Sequence, residues 1–277
     1  MKTFNSDGFT LGDSTDGNDN PQTYAAWAWN AGTTNFFNDV SETSIGTIDS
    51  TYRANPTAGF SIVSYTGNRT PSTQVAHGLN AKADFILFKN RTQTDNWGVY
   101  HKELGPEKYM YLNTDSVVGD DAGFFSDTDG NSNCFIVGDE DTVNGTSETM
   151  IAYCWSEVPG FSKFSNYIGS ATAAAGGSEG PFIYCGFTPR WLLLKQAEAS
   201  YNGSWVIYDT ARTPTNSGEN WIYANTSAAE SPAASYAVTV TSTGFKVRST
   251  SAENNGTGRN YIFAAFAESP LKYANAR

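Results

Sequence analysis

One segment of this chain occurs three times, and a repeat constrains the fold strongly, because a repeated unit must be one structural assembly used again. The first copy, GFTLGDSTDGNDNPQTYAAWAWNAG from Gly8 to Gly32, aligns without a gap onto CFIVGDEDTVNGTSETMIAYCWSEVP from Cys134, so that Phe9 falls on Phe135 and Trp29 on Trp155. The third copy, GFKVRSTSAENNGTGRNYIFAAFAESP from Gly244, needs one inserted residue to bring Tyr261 onto Tyr24 and Phe266 onto Trp29. Each copy reads as a strand, a polar loop and a second strand.

The remainder of the unit occurs twice, in the same order. AGFSIVSYTGN from Ala58 matches PGFSKFSNYIGS from Pro159, and ADFILFKN from Ala83 matches PRWLLLKQ from Pro189, with Lys89 on Lys195. NWGVYHK and SWVIYDT then place Trp97 on Trp205 and Tyr100 on Tyr208, and YMYLNTD and WIYANTS place Asn113 on Asn225. The expected organisation is therefore residues 1–32 as the closing strands of an incomplete unit, 33–55 as a linker or arm, 56–159 as a first complete unit and 160–277 as a second. The segment 33–55 matches nothing else and is rich in Ser, Thr, Asn and Asp, as a connection would be.

Apolar runs of about four to eight residues, rich in Val, Ile, Phe, Tyr and Trp, alternate with Gly, Asn, Asp, Ser and Pro clusters, and no stretch sustains a helical period. The predicted fold class is all-β, as tandem antiparallel β-sandwich units of the jelly-roll or lectin-like kind. The closing strand is apolar on both faces: Ile262, Ala264 and Phe266 share one, and Tyr261, Phe263 and Ala265 the other. A strand of that kind is expected at the centre of its sheet, one face in the core and the other covered by another domain, the linker or a neighbouring subunit. The strands of residues 1–32, which lack a sandwich of their own, are expected to pair with the body of this chain or of another copy.

Charge removes several function classes. Seventeen Lys and Arg against 28 Asp and Glu give a net charge of -11, which repels phosphate backbones and gains nothing from anionic lipid, so neither nucleic acid nor membrane is an expected partner. No stretch approaches the roughly 18 to 20 apolar residues that span a bilayer, and MKTFNSDGFT lacks the apolar core of a secretory signal. Cys134, Cys154 and Cys185 are too few and scattered for a disulfide framework or a four-ligand zinc site, and are expected as buried thiols.

The search for chemistry finds no G-x-S-x-G elbow, P-loop, Rossmann glycine pattern or H-E-x-x-H. His77 and His101 have no repeated partner, which argues against a His-based triad or zinc site. Glu140 with Asp141, and Glu219 with nearby acids, are the candidate carboxylate pairs for glycoside hydrolysis, and their place in variable polar loops favours a solvated role. DSTDGNDN from Asp13 and SDTDGNSN from Ser126 crowd carboxylates and amides around a glycine; calcium is a candidate there, but turn formation by Asp, Asn and Gly accounts for both. No other cofactor is expected. Aromatic residues near polar loops, Trp221, Tyr223 and Tyr109, are the candidate glycan-stacking residues, whereas the recurrence of Phe85, Trp97, Trp191 and Trp205 points to packing. Six N-x-[ST] sequons, at Asn68, Asn90, Asn144, Asn202, Asn225 and Asn255, are expected by chance in so Asn-, Ser- and Thr-rich a chain.

PGFSKFSNYIGS, GPFIYCGFTPRWLLLK, GSWVIYDTARTP, ANTSAAE, TGFKVRST and NYIFAAFAESPLKYANAR together resemble a repeated domain of virion proteins of marine bacteriophages, cyanophages especially. The resemblance covers 159–277 well and 56–159 more loosely, with GVYHKELGPEKYMYLN departing from the usual acidic pattern. It implies a tail-fibre-like or lectin-like structural protein, located in the virion after assembly in the host cytoplasm, and supplies no catalytic residue. Met1 aligns with an internal stretch of the family unit, so a longer product is an expectation. The reading is a non-enzymatic appendage, fibre or capsid-decorating component, partnered by other virion proteins and copies of itself, with host-surface glycans as candidate ligands. The alternative is a carbohydrate-active enzyme or its glycan-binding accessory module.

Overall fold

The computed structural model describes residues 2–5, 8–171, 180–198, 200–212, 220–231 and 237–268. The chain divides into a small unit, Met1–Asn30, and a large one, Ala31–Arg277. The small unit holds a hairpin of β1 (Thr3–Asn5) and β2 (Gly8–Thr10) and a single helical turn, Thr15–Asn18. Here the structure departs from expectation: Tyr24–Trp29, read as a closing strand, lies in no strand. A two-sided apolar strand is held by neighbours on both edges, and among the described residues of this unit the only strands are the two of the hairpin.

The large unit is all-β and antiparallel throughout its sheets. β3 (Phe36–Asn38), β4 (Ser50–Asn55), β5 (Phe60–Thr66), β7 (Phe85–Asn90), β8 (Gly98–His101), β9 (Lys108–Tyr111), β10 (Gly119–Asp120) and β12 (Thr149–Trp155) form one sheet in the order β10-β9-β8-β7-β12-β5-β4-β3. β6 (Thr73–Ala76) and β11 (Cys134–Val137) pair as a small sheet. A five-stranded sheet follows, of β13 (Ser162–Ile168), β15 (Pro189–Gln196), β16 (Val206–Asp209), β17 (Trp221–Tyr223) and β20 (Asn260–Ala267), in the order β13-β20-β15-β16-β17. A three-stranded sheet, β14-β19-β18, contains β14 (Phe182–Tyr184), β18 (Val238–Thr241) and β19 (Gly244–Val247). Read from the edge inwards, β9-β8-β7-β12-β5 and β17-β16-β15-β20-β13 are the same strand order, and β6-β11 corresponds to β14-β19.

Each large sheet buries alternate residues against its small sheet, as period-two strands require. Ile86, Phe88, Met150 and Ala152 meet Val75, Phe135 and Val137 in one core, and Leu192, Leu194, Tyr261 and Phe263 meet Ile183, Phe245 and Val247 in the other. Local devices recur with the strand order. Gly59 and Gly160 both sit at positive φ, before β5 and β13, and a Cβ on Gly59 would lie 2.3 Å from the Ser156 carbonyl. Asn113 Oδ1 accepts from the Trp97 N–H at 2.8 Å, and Asn225 Oδ1 from the Trp205 N–H at 2.9 Å.

The two N-G-T sequons mark the closest of these matches. Asn144 and Asn255 are fully buried, and each Oδ1 accepts from a backbone N–H across the sandwich, that of Asn68 at 2.9 Å and of Ser170 at 2.8 Å. Their amides donate to the carbonyls of Gly138 and Ser249. The Tyr65 hydroxyl donates to Val143 O at 2.5 Å and the Tyr167 hydroxyl to Asn254 O at 2.7 Å, in each case the residue before the asparagine. This register puts Tyr167 at the place of Tyr65, one residue on from the ungapped sequence alignment, and so keeps both tyrosines on the core face. Replacing either asparagine by alanine strands a buried N–H and a buried C=O. Asn144→Ala and Asn255→Ala are each expected to cost about 2 to 4 kcal/mol, read as a lower urea midpoint with unchanged slope.

The second face of β20 is covered within the chain. Phe85 stacks on Phe164 with centroids 5.7 Å apart, and Trp155 meets Phe266 edge-on at 6.4 Å. Ile262, Ala264, Leu193 and Val99 are all buried though they point away from the two cores. The two large sheets therefore pack back to back, and a third apolar layer lies between them. A neighbouring subunit is not needed to cover this face.

Candidate functional site

The aromatic residues expected to bind sugars are not exposed platforms. Trp221 lies in the second core with 8 % of its surface accessible, its ring 4.7 Å from that of Tyr223, which is partly buried. Tyr109 packs on the first core, parallel to Phe124 with centroids 3.6 Å apart. Tyr109 and Trp221 sit at matching places on β9 and β17, so Tyr109 belongs to one core and Trp221 and Tyr223 to the other, and the three form no common surface. Exposed aromatic rings stand elsewhere: Phe182 and Tyr184 on β14 are 52 % and 65 % accessible, and Phe36 and Phe37 on β3 are also open. Sequence reasoning, which chose aromatic residues by their closeness to polar loops, passed over FIY and NFF.

The carboxylates have structural partners. Glu140 Oε2 accepts from the Asp141 N–H at the start of a helical turn, and Asp141 pairs with Arg69 at 2.8 Å. Glu219 lies outside the described residues. In the loop from Ser126, Asp129 pairs with Lys82 at 2.7 Å and accepts the Tyr100 hydroxyl at 2.9 Å, while Asn131 Oδ1 caps the N–H groups of Asn133 and Cys134. In the loop from Asp13, Ser14 caps Asp16 and the Asn18 amide donates to Gly12 O. Among the described residues no three His, Cys, Asp or Glu side chains converge as metal ligands.

Both histidines are buried and neutral. Each accepts a backbone N–H at Nδ1, from Leu79 and from Glu103, and directs Nε2 to a carbonyl, that of Asn131 and that of Phe263. Burial lowers both to about 4, further than these carbonyl hydrogen bonds can restore. His101 joins the two large sheets, since Phe263 is on β20. Two further side chains join them: Trp205 Nε1 donates to Tyr111 O at 2.8 Å, and the buried Lys195 ammonium donates to Asp115 O at 3.2 Å, Ser116 O at 3.0 Å and Gly203 O. Burial holds Lys195 down to about 8, with Glu253 and Asp115 opposing it. The three cysteines are free and buried, and burial raises each thiol, Cys134 to about 11 and Cys185 to about 12, so none presents a thiolate at neutral pH.

What these groups can do together is hold two sheets in register. Among the described residues, no helix is long and apolar enough to cross a membrane. Comparison with curated proteins and with solved structures finds no match. A family model described as a domain of unknown function, DUF7483, matches residues 1–270.

Proposed function

We propose that this chain, which belongs to the DUF7483 family, is a non-catalytic structural component of a phage virion, built from two copies of one sandwich unit fused back to back. The observation that carries the reading is the use made of its buried polar side chains. His77, His101, Lys195, Asn144 and Asn255, the groups that chemistry would draw on, are engaged in hydrogen bonds that tie strands and sheets together. The recurring strand order and recurring asparagine bonds support duplication, and duplicated rigid units suit an appendage, fibre or decorating protein. The resemblance of residues 159–277 to marine phage virion domains supports a virion location.

An antibody against the full chain is expected to label intact particles of a phage that encodes it, and a particle free of the protein would overturn the virion assignment. The carbohydrate-active alternative is separated by incubating the protein with host surface polysaccharide. Unchanged polymer length is expected; depolymerisation would overturn the non-catalytic reading.

A further inference from the structure

The two sandwiches differ at one edge. In the first, segment 33–55 closes the side where β5 and β6 end their sheets: β4 pairs with β5 from Ser50↔Tyr65 to Asn55↔Phe60. Thr47 and the first residue of β4 seal β6, since Thr47 N–H donates to Gln74 O at 2.9 Å, Thr47 Oγ1 accepts from Gln74 N at 2.9 Å, and Ser50 Oγ donates to Ala76 O at 3.1 Å. In the second sandwich the matching strands, β13 and β14, are, among the described residues, the edges of their sheets.

The register shows which backbone groups this leaves open. Val247 N–H donates to Pro181 O and Cys185 N–H to Thr243 O, so the odd-numbered residues of β14 face β19 and the groups of Phe182 and Tyr184 face outwards. By the same alternation Gly169 N–H donates to Arg259 O, and the groups of Asn166 and Ile168 on β13 face outwards. Phe182 and Tyr184 stand where the first sandwich has Gln74 and Ala76, and Ile168, like them, is more than half exposed.

We infer that β13 and β14 are an interaction surface for a second copy of this chain, paired edge to edge across a twofold axis so that both sheets continue into the partner. Two observations and one symmetry argument select that occupant. The first sandwich shows that strand cover fits this side of the fold. A twofold axis normal to the sheets sets each edge antiparallel to itself, so one patch serves both copies. At a net charge of -11 two copies repel, yet β13 and β14 carry no Asp or Glu, and the cation on β13, Lys163, is held by Glu157 at 2.8 Å. The surface stands independently of where the protein works.

Sedimentation of the full chain tests it. The wild type is expected to sediment as a dimer, the Phe182→Lys/Tyr184→Lys variant as a monomer with an unchanged thermal melt, and Phe37→Lys, on the remote edge strand β3, as a dimer. In the wild type itself, deuterium uptake at Phe182, Tyr184, Asn166 and Ile168 is expected to slow as protein concentration rises. A wild type that stays monomeric, a dimer that survives the double substitution, or uptake independent of concentration would overturn the inference.

Discussion

Acidification from pH 7 to pH 4 is expected to destabilise the folded protein by on the order of 3 kcal/mol for each of His77 and His101. The direction follows from their lowered values. In the unfolded chain each imidazole takes up a proton near pH 6.5, whereas in the fold each resists until about pH 4, so between those values the unfolded state binds more protons and stability falls with pH. The cause is burial, to which Lys102 adds repulsion at His101. A protonated His101 would also lose its Nδ1 acceptor for Glu103 N–H, beside the bond that reaches Phe263. Urea midpoints measured from pH 7 to pH 4.5 should fall steeply, and His101→Gln should remove about half of that slope. A flat profile across this window would show that the imidazoles are not held neutral.

The second large effect falls on Lys195. Its ammonium satisfies carbonyls from both sandwiches, Asp115 and Ser116 from the first and Gly203 from the second. Lys195→Ala leaves these carbonyls facing a void and is expected to cost about 3 to 5 kcal/mol. Lys89, at the matching position, is partly exposed and donates to one carbonyl, that of Asp95 at 2.6 Å. Lys89→Ala is therefore expected to cost less than about 1 kcal/mol. The contrast in denaturant midpoints checks the assignment, because intrinsic propensity is the same in both substitutions while the burial and the sheet-to-sheet bonds differ. Equal effects would remove Lys195 from its bridging role.

The fold class was legible because strand signals are local. The short apolar runs in FILFKN and PRWLLLKQ, bounded by polar and turn residues, read as strands. The two-sided character of YIFAAF correctly demanded cover, but sequence could not say whether that cover was a domain, a linker or another subunit; the structure supplies it from Phe85, Trp155 and their neighbours. In the segment read as a linker or arm, composition gave no sign that STYRAN is β4, paired along β5. YAAWAW erred the other way, for a strand depends on its neighbours more than on its own residues. The glycan candidates were chosen by closeness to polar loops, which does not reveal that Tyr109 stacks on Phe124 or that Trp221 fills a core. Phe182 and Tyr184 carry a signal that sequence could have offered, two aromatic residues at period two where the matching strand has Gln74 and Ala76.

Hydrogen exchange of the full chain tests most directly whether the two sandwiches form one body through their large sheets. β12 and β20 lie at the middle of those sheets, each flanked by strands on both edges; β20 is buried on both faces from Tyr261 to Phe266, and β12 on its core face, with Ile151 and Tyr153 partly buried on the other. Their amides are expected to exchange through a single opening of the same free energy, the highest in the molecule, and Lys195→Ala should lower both together. Core amides of β12 and β20 that open with clearly different free energies, or a Lys195→Ala effect confined to β20, would contradict it.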